Sequence, residues 1–195
     1  NKSKKYSFII RWGQTTDTDD SEGMVLGNSN VRPTKMQICN IIKFFTGKIY
    51  QKPPLFSAIK IDGKRSYILA RNNIIVEHQP RLVEIYKLVL KKIINSDLAE
   101  FEVICGKGTY VRSLARDIAE KLDTKGHVTM IRRHYVGNFV EKNTISIDFS
   151  KEIIHSPAIL NKILPIEAVL DDIPALVLNE IEARKLKLGQ KIHLN

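Results

Sequence analysis

Residues 106–122 read GKGTYVRSLARDIAEKL, and the rest of the chain can be understood outward from this stretch. Two glycines, two positions apart, mark a turn, and Thr109 is the predicted N-cap of the helix that follows. Apolar residues then recur along one helical face, at positions 111, 114, 115, 118 and 122. The stretch predicts a tight turn followed by an amphipathic helix that packs on a hydrophobic core.

Arg112 is the unusual residue of this helix. It falls in the first turn, where the helix dipole disfavours a cation, and it lies at the edge of the apolar face. A carboxylate or phosphate partner explains a cation in that position. An ordinary surface arginine fits the spacing equally well, and both interpretations remain open from the spacing alone.

The composition is that of a soluble globular protein. The chain has 195 residues, 43% hydrophobic and 27% charged, enough for one domain and part of a second. No apolar run approaches the roughly 18 residues that a membrane-spanning helix needs. Cys39 and Cys105 lie far apart without metal or redox spacing, and the histidines show no ligand spacing. We therefore expect a reduced, cytoplasmic protein without a metal site.

The net charge of +10 predicts an anionic partner, of which nucleic acid is the commonest. The cations are concentrated in residues 1–15, 43–71 and 107–133. If the fold brings these segments together, they form a phosphate-binding face. The alternative is a lysine-rich composition with no more than solvated charges, and composition alone does not separate the two.

The first third of the chain predicts a strand, an acidic loop and a helix. Residues 6–12 alternate so that Tyr6 shares a face with core residues, and periodicity alone makes Tyr6 part of the core. Residues 13–23 are polar and acidic but lack the glycine and glutamate positions of a calcium loop, so a solvated loop is predicted. A helix is predicted over 34–46, with its buried face formed by Met36, Ile38, Ile41, Ile42 and Phe45.

The remaining elements follow from alternation and turn signals. Asp62-Gly63 predicts a hairpin turn before a short helix that ends at Arg71. Strands are predicted over 81–92 and 98–105, joined by a turn. Beyond about residue 143 the sequence predicts a weak helix over 148–164, a strand over 174–178 and a helix over 179–188.

Four segments resemble, in order, motifs of the TruB-type tRNA pseudouridine synthases. The loop at 13–23 resembles GxxTDTxDxxG, and residues 53–71 resemble PPxxSAxKxxGxRxYxxAR. Residues 107–112, KGTYVR, resemble KGTYIR, and residues 127–139 resemble HxxxLRRxxVGxF. With the segments between them, these motifs cover nearly all of residues 1–178.

Two of the matched segments depart locally from the family pattern. Asn72-Asn73 stand where the family usually has Gly, and Ile131 stands where it has Leu. Asn tolerates left-handed backbone, and Ile keeps the position apolar. Neither change conflicts with the resemblance.

The resemblance implies an α+β fold, with a mixed and largely antiparallel sheet, helices packed on it and a partial C-terminal appendage. Residues 1–142 are then the C-terminal portion of a catalytic domain. Residues 143–195 are a linker and the start of a small C-terminal domain.

The resemblance also implies an activity. TruB-type enzymes convert the T-loop uridine of tRNA, position 55, to pseudouridine without metal or cofactor. The base is flipped into a pocket, as chemistry on a base requires, and an aspartate attacks. The uracil is then detached, turned and rejoined through carbon. The implied partner is the T-arm stem-loop of tRNA. We expect the protein to be a monomer that does not bind membranes.

Site residues carry over by motif. Arg112 matches the arginine that pairs with the nucleophilic aspartate. Tyr6 matches the tyrosine that stacks on the base and is the candidate to take its C5 proton. The implied substrate-binding residues are Ile131, Tyr110, Lys60, Lys64, Lys107 and Arg132.

The nucleophile itself is missing from the sequence. In the family it lies in an upstream GxLDPxATG segment, and the aspartates at 17, 19, 62, 117 and 148 lack that context. We therefore expect the chain to be a fragment of a longer enzyme, inactive as it stands, with Arg112 unpaired and destabilising if buried. The alternative is a non-catalytic tRNA-binding module that uses the same basic face. A DNA-binding protein has no helix-turn-helix or zinc signature in its favour.

Overall fold

The computed structural model describes residues 2–72, 74, 76–144, 163–170 and 173–192. The strands in this part of the chain are β1 (Lys4–Trp12), β2 (Gln14–Thr16), β3 (Val25–Asn28), β4 (Gly47–Gln51), β5 (Lys60–Ile61), β6 (Lys64–Arg65), β7 (Arg81–Ile93), β8 (Leu98–Cys105), β9 (Gly126–Val136) and β10 (Phe139–Val140). The α-helices are α1 (Lys35–Ile42), α2 (Ser66–Arg71), α3 (Val111–Lys121) and α4 (Glu180–Lys187). Short 3-10 turns follow α1 and β10, over Lys43–Phe45 and Glu141–Asn143, and a third covers Ile166–Val169.

A six-stranded antiparallel sheet is the framework of the domain, in the order β10-β9-β1-β8-β7-β4. The predicted strands over 6–12, 81–92 and 98–105 are confirmed as β1, β7 and β8. Phe8 and Ile10 of the central strand β1 are fully buried, and the Phe8 ring stacks on Phe101 at a centroid distance of 5.4 Å. The alternation of β1 therefore directs one row of side chains into the core, as the sequence predicts.

Helix α3 covers the buried face of this sheet. Its apolar residues Leu114, Ala115 and Ile118 are fully buried, so the predicted amphipathic helix is confirmed. Gly126 at the start of β9 permits close packing, because a Cβ there would lie 2.7 Å from the Cβ of Ala119. The apolar face thus fixes α3 on β9 and β1, and this fixes the direction in which Arg112 points.

Helix α1 is confirmed, but its predicted buried face is wrong at one residue. Thr34 caps the helix through a capping box with Gln37. Ile38 is fully buried, whereas Met36 is 72% exposed. Since successive helical residues turn by about 100°, positions two apart lie on nearly opposite sides. Met36 therefore cannot share the face of Ile38.

The segment between β4 and β7 contains the predicted hairpin. Asp62 and Gly63 have positive φ angles of 48° and 80° and join β5 to β6, as an Asp-Gly turn requires. The hydroxyl of Ser66, at the start of α2, is hydrogen bonded to Nε2 of the buried His78 at 2.8 Å. This bond ties α2 to the chain that leads into β7.

The chain divides into two compact units, residues 1–144 and 145–195. In the second unit α4 is confirmed, with Asn179 as N-cap in a capping box with Glu182. The described residues of the predicted strand at 174–178 are not in a strand. The predicted helix over 148–164 falls almost entirely outside the described residues. Within the described residues no helix is long and apolar enough to cross a membrane, and no three metal-ligating side chains form a group.

The sheet and its packed helices confirm the predicted α+β class. Two further sheets of two strands each are formed by β2 with β3 and by β5 with β6, and the described strand pairs of all three sheets are antiparallel. Among the described residues, a single parallel bridge joins Asp20 to Val128. That bridge attaches the acidic loop after β2 to β9. It brings the loop next to α3.

Candidate active site

Three acceptors bind the guanidinium of Arg112. Its Nη1 donates to Oδ2 of Asp20 at 2.9 Å and to the carbonyl of Thr18 at 2.9 Å, and its Nη2 donates to the carbonyl of Phe56 at 2.8 Å. The side chain of Arg112 is 23% exposed and that of Asp20 25%, so water screens this ion pair less than a surface pair. Of the two interpretations that the spacing left open, the structure shows the one with an anionic partner, but that partner is Asp20 and not the family's nucleophile. The expectation of an unpaired Arg112 is wrong.

The loop that supplies Asp20 is ordered by its own side chains. The hydroxyl of Thr16 donates to the Asp20 carbonyl at 2.6 Å, and that of Thr18 donates to the Asp20 carboxylate at 2.6 Å. The carboxylate of Asp17 accepts from the backbone N–H of Met24 at 2.8 Å. The prediction of a solvated loop is wrong here, because these bonds and the cations of α3 take the place of water.

A second guanidinium lies one helical turn further along α3. Nη1 of Arg116 donates to Oδ2 of Asp19 at 2.7 Å, and Nη2 donates to Asp117 at 2.9 Å and to the carbonyl of Lys52 at 2.8 Å. Burial raises the pKa of Asp19 above its ordinary value, although Arg116 and Arg112 act to lower it. For the same reason burial raises the pKa of Asp117 to about 6. Neither Arg116 nor Asp20 was predicted as a site residue, although Asp20 occupies a fixed position of the GxxTDTxDxxG motif.

A cavity of about 360 Å³ opens beside Arg112. Its walls include Asp20, Phe56, Tyr67 and Arg71, with the guanidinium of Arg71 over the ring of Tyr67 at 5.6 Å. Pockets of this size accept small molecules and single bases. The cavity therefore combines a paired arginine, a second cation and aromatic surface. The signal in the sequence was the motif at 53–71, in which Tyr67 and Arg71 both occupy fixed positions.

Tyr6 and Ile131 lie on neighbouring strands of the sheet. Tyr6 of β1 is partly buried against the core cluster and pairs in register with Arg133 of β9. Ile131 pairs with Phe8 and is 44% exposed. Neither residue is among those that line the cavity beside Arg112. The roles of Tyr6 in stacking and of Ile131 in substrate binding stay predictions.

Tyr110, not Thr109, is the N-cap of α3. Tyr110 has extended backbone angles (φ −103°, ψ 114°), and its N–H donates to Oε1 of Gln51 at 2.8 Å. The Thr109 hydroxyl instead bonds back to the Gly106 carbonyl at 3.3 Å. The predicted cap is wrong: Tyr110 makes no side-chain capping bond to α3, and the buried Gln51 amide instead accepts from the Tyr110 N–H and holds the turn on β4.

The predicted lysines are exposed and belong to two different segments. Lys60 and Lys64 lie on the β5–β6 hairpin, and Lys107 lies in the turn between β8 and α3. Lys60 and Lys64 belong to the segment that carries Phe56 and Arg71 to the cavity. Their positions suit contacts to phosphate at the edge of a site, and this role stays a prediction.

Arg132 belongs to a separate polar chain on the sheet. It forms an ion pair with Glu141, whose other oxygen accepts from Nδ1 of His134 at 2.9 Å, and Nε2 of His134 is hydrogen bonded to Ser7 at 2.8 Å. The order hydroxyl, imidazole and carboxylate is that of a serine hydrolase. However, β1 is paired on both sides around Ser7, so the neighbouring backbone N–H groups are not available as an oxyanion hole. We assign a structural role to these hydrogen-bonded side chains, which stabilise the β1–β9–β10 edge of the sheet. Substrate binding by Arg132 stays a prediction.

Comparison with known proteins decides the family. The model of the TruB family pseudouridylate synthase N-terminal domain matches residues 1–111, which is more than half of the chain. The chain belongs to the TruB family. The matched region contains Tyr6, the acidic loop and the segment at 53–71, and it ends at the residue before Arg112.

Relatives within the TruB family match across almost the whole chain. The tRNA pseudouridine synthase B of Rhodospirillum rubrum is 44% identical over 192 residues, covering 98% of this chain and 62% of the relative. That of Bradyrhizobium diazoefficiens is 45% identical over 196 residues, covering 98% and 57%. The chain thus spans about 60% of the length of these curated relatives.

A solved structure supports the fold. A chain in the crystal structure of a Cbf5–Nop10–Gar1 complex superposes with a TM-score of 0.51 at 24% identity, covering 73% of this chain and 33% of that chain. At this identity the likeness bears on the architecture alone. This architecture agrees with the α+β fold described above.

Proposed function

We propose that the protein containing this chain is a tRNA pseudouridine synthase that isomerises the T-loop uridine. The observation that carries the proposal is the Arg112 site: the side chain of the arginine that matches the family motif is largely shielded from water and is held in place by Asp20. Relatives of this chain that are more than 40% identical are named tRNA pseudouridine synthase B.

The nucleophile of the proposed reaction comes from the family's GxLDPxATG segment, which this sequence does not contain. A guanidinium has five N–H donors. Among the described residues, the acceptors of Arg112 occupy Nη1 and Nη2, and its Nε–H has no acceptor. Arg112 is therefore able to bind a second carboxylate while it keeps Asp20.

The proposed reaction moves the glycosidic bond of uridine from nitrogen to carbon. The aspartate attacks C1′ as the N1–C1′ bond breaks, and the detached uracil turns. C5 then bonds to C1′ as the bond between C1′ and the aspartate breaks, which releases the carboxylate. The C5 proton then leaves and N1 ends protonated, so no atom is gained or lost. We assign stacking on the base to Tyr6, which is also the candidate to accept the C5 proton.

The proposed substrate is the T-arm stem-loop of tRNA. The net charge of +10 favours association with a polyanion, and the exposed Lys60, Lys64 and Lys107 suit contacts to phosphate. We assign contact with the flipped base to Ile131 and Tyr110. We further propose that the protein acts in the cytoplasm as a monomer without cofactor, as the family resemblance implies.

The test compares two proteins: the one expressed from the whole natural coding sequence, and residues 1–195 alone. The quantity compared is the modification of an RNA. Each is incubated with a T-arm stem-loop that carries one uridine at the target position, and pseudouridine is measured by mass spectrometry after carbodiimide labelling. The proposal predicts modification by the whole protein. Tight binding of the RNA by both proteins, with modification by neither, would instead favour the non-catalytic tRNA-binding module.

A further inference from the structure

Two adjacent aspartates face two arginines on consecutive turns of α3. Asp20 pairs with Arg112 at 2.9 Å, and Asp19 pairs with Arg116 at 2.7 Å. Arg112 and Arg116 are four residues apart, so their side chains leave the same helical face. The acidic loop therefore contacts α3 through two parallel ion pairs.

The backbone of Asp19 makes this arrangement possible. Neighbouring side chains of an extended chain point in opposite directions, so two adjacent aspartates would not both face one helix. Asp19 has a φ angle of 60°, in the left-handed region that is costly for a residue with a Cβ. Its carbonyl accepts from the Val128 N–H at 3.1 Å. Its N–H donates to the Thr16 carbonyl at 3.3 Å. The ion pair with Arg116 holds its side chain.

Arg116 also holds the other segment that supplies an acceptor to Arg112. Its Nη2 donates to the carbonyl of Lys52 at 2.8 Å, and Phe56, four residues further on, gives its carbonyl to Arg112. Arg116 thus contacts both segments that surround Arg112: the acidic loop through Asp19, and the chain after β4 through Lys52.

Stability alone is a weak explanation for this cluster. Asp19 is only 6% exposed and the side chain of Arg116 20%, and desolvation of buried charges commonly cancels much of the attraction between them. A geometric role accounts for the cluster better. Each hydrogen bond that the Arg116 side chain donates to the described residues goes either to its own helix or to a segment that also contacts Arg112.

We propose that Arg116 is a positioning residue for the reaction, which acts by fixing Asp19 and Lys52 so that Asp20 and Phe56 hold Arg112 at one orientation. This role rests on the proposed pseudouridine synthase function. Arg116 does not touch the substrate in this account. Its loss should therefore lower kcat and leave RNA binding nearly unchanged.

The experiment uses the whole natural protein and the T-arm stem-loop RNA. The variants are Arg116→Gln, Arg116→Lys and Asp19→Asn, with Lys121→Gln as a matched control on the exposed face of α3. We measure kcat, KM, the Kd for RNA and the fraction of folded protein. We expect Arg116→Gln to lower kcat at least tenfold with KM and Kd within about threefold, and Arg116→Lys to recover part of the loss.

A double-mutant cycle with Arg112→Lys separates positioning from folding. If Arg116 acts through Arg112, then Arg116→Gln lowers kcat less than about threefold in the Arg112→Lys background. An equal loss in both backgrounds, or a loss proportional to the unfolded fraction, overturns the positioning role. So does a normal kcat for Arg116→Gln in a protein whose wild type is active. An inactive wild type refutes the proposed function itself, and with it this role.

Discussion

Arg112 and Asp20, 92 residues apart in sequence, form an ion pair of 2.9 Å that joins the first turn of α3 to the acidic loop. The pair explains why a cation is tolerated at a helix N-terminus, where the dipole alone disfavours it. It also gives Arg112 a fixed direction before any substrate or nucleophile is present.

Replacing Asp20 with Asn should impair activity more than stability. An amide still accepts a hydrogen bond but leaves the charge of Arg112 uncompensated, so we expect about 1 kcal/mol lower unfolding free energy. We expect kcat/KM of the whole protein to fall at least tenfold. Asp123→Asn is the matched control, because Asp123 is exposed at the end of α3 and has a φ angle of 55° that asparagine tolerates; it should match wild type in both measurements. Normal kcat/KM in Asp20→Asn would contradict the account of the site.

The contact between Gly126 and α3 predicts a purely structural defect. A methyl group at position 126 would lie 2.7 Å from the Cβ of Ala119 and 3.3 Å from the Arg11 carbonyl. We expect Gly126→Ala to lower the unfolding free energy by about 1–3 kcal/mol, the usual cost of overpacking. Gly27→Ala, where the nearest atom is 3.8 Å away, is the control. Equal urea midpoints for the two variants would show that α3 packs less tightly than described.

The pKa of Asp117 predicts a measurable pH dependence of stability. Burial raises this pKa from 3.8 to about 6, so between these values the folded state binds more protons than the unfolded state. The stabilising contribution of this group is therefore complete only below pH 3.8, and it is lost progressively as the pH rises from there through about 6. The full loss corresponds to at most about 3 kcal/mol.

Asp117→Asn should remove that contribution. Between pH 4.5 and pH 7, the unfolding free energy of the variant should change more favourably with rising pH than that of wild type. Urea titrations at the two pH values measure the difference, and Asp123→Asn, at an exposed position at the end of α3, serves as a surface control. The same pH dependence in wild type and Asp117→Asn would refute the raised pKa.

The β5–β6 hairpin predicts a change in the salt dependence of RNA binding. If Lys60 and Lys64 each contact a phosphate, the double alanine variant should reduce the slope of log K against log salt by about one to two. Affinity should fall most at low salt and equally for different RNA sequences. Lys92→Ala, near the far end of β7, should keep the wild-type slope. An unchanged slope in the double variant would remove these lysines from the RNA-binding surface.

Much of the fold follows from local patterns in the sequence. The alternation over β1, β7 and β8 and the Asp62-Gly63 turn depend on neighbouring residues, and all were predicted. Met36 was wrongly predicted on the buried face of α1 because it is apolar, although its angular position on the helix puts it on the opposite side. Thr109 was wrongly predicted as the N-cap of α3 because the turn is held by the buried Gln51, which comes from another strand.

The candidate site was harder to predict for the same reason. Arg112 could be recognised from its position in α3, since a cation in a first turn calls for a partner. Asp19 and Asp20 looked like solvated residues, because their partners lie more than 90 residues further along the chain. An acidic loop in a chain of net charge +10 was the available signal, but it does not specify which cations the loop meets.

Pseudouridine formation by the whole natural protein and its Arg112→Lys variant, on a T-arm stem-loop RNA, tests the central claim most directly. Both proteins should bind the RNA with similar affinity. We expect the wild type to convert the target uridine and Arg112→Lys to do so at least a hundredfold more slowly, because lysine cannot hold Asp20 and a second carboxylate in one plane. Conversion at the wild-type rate by Arg112→Lys would contradict the account.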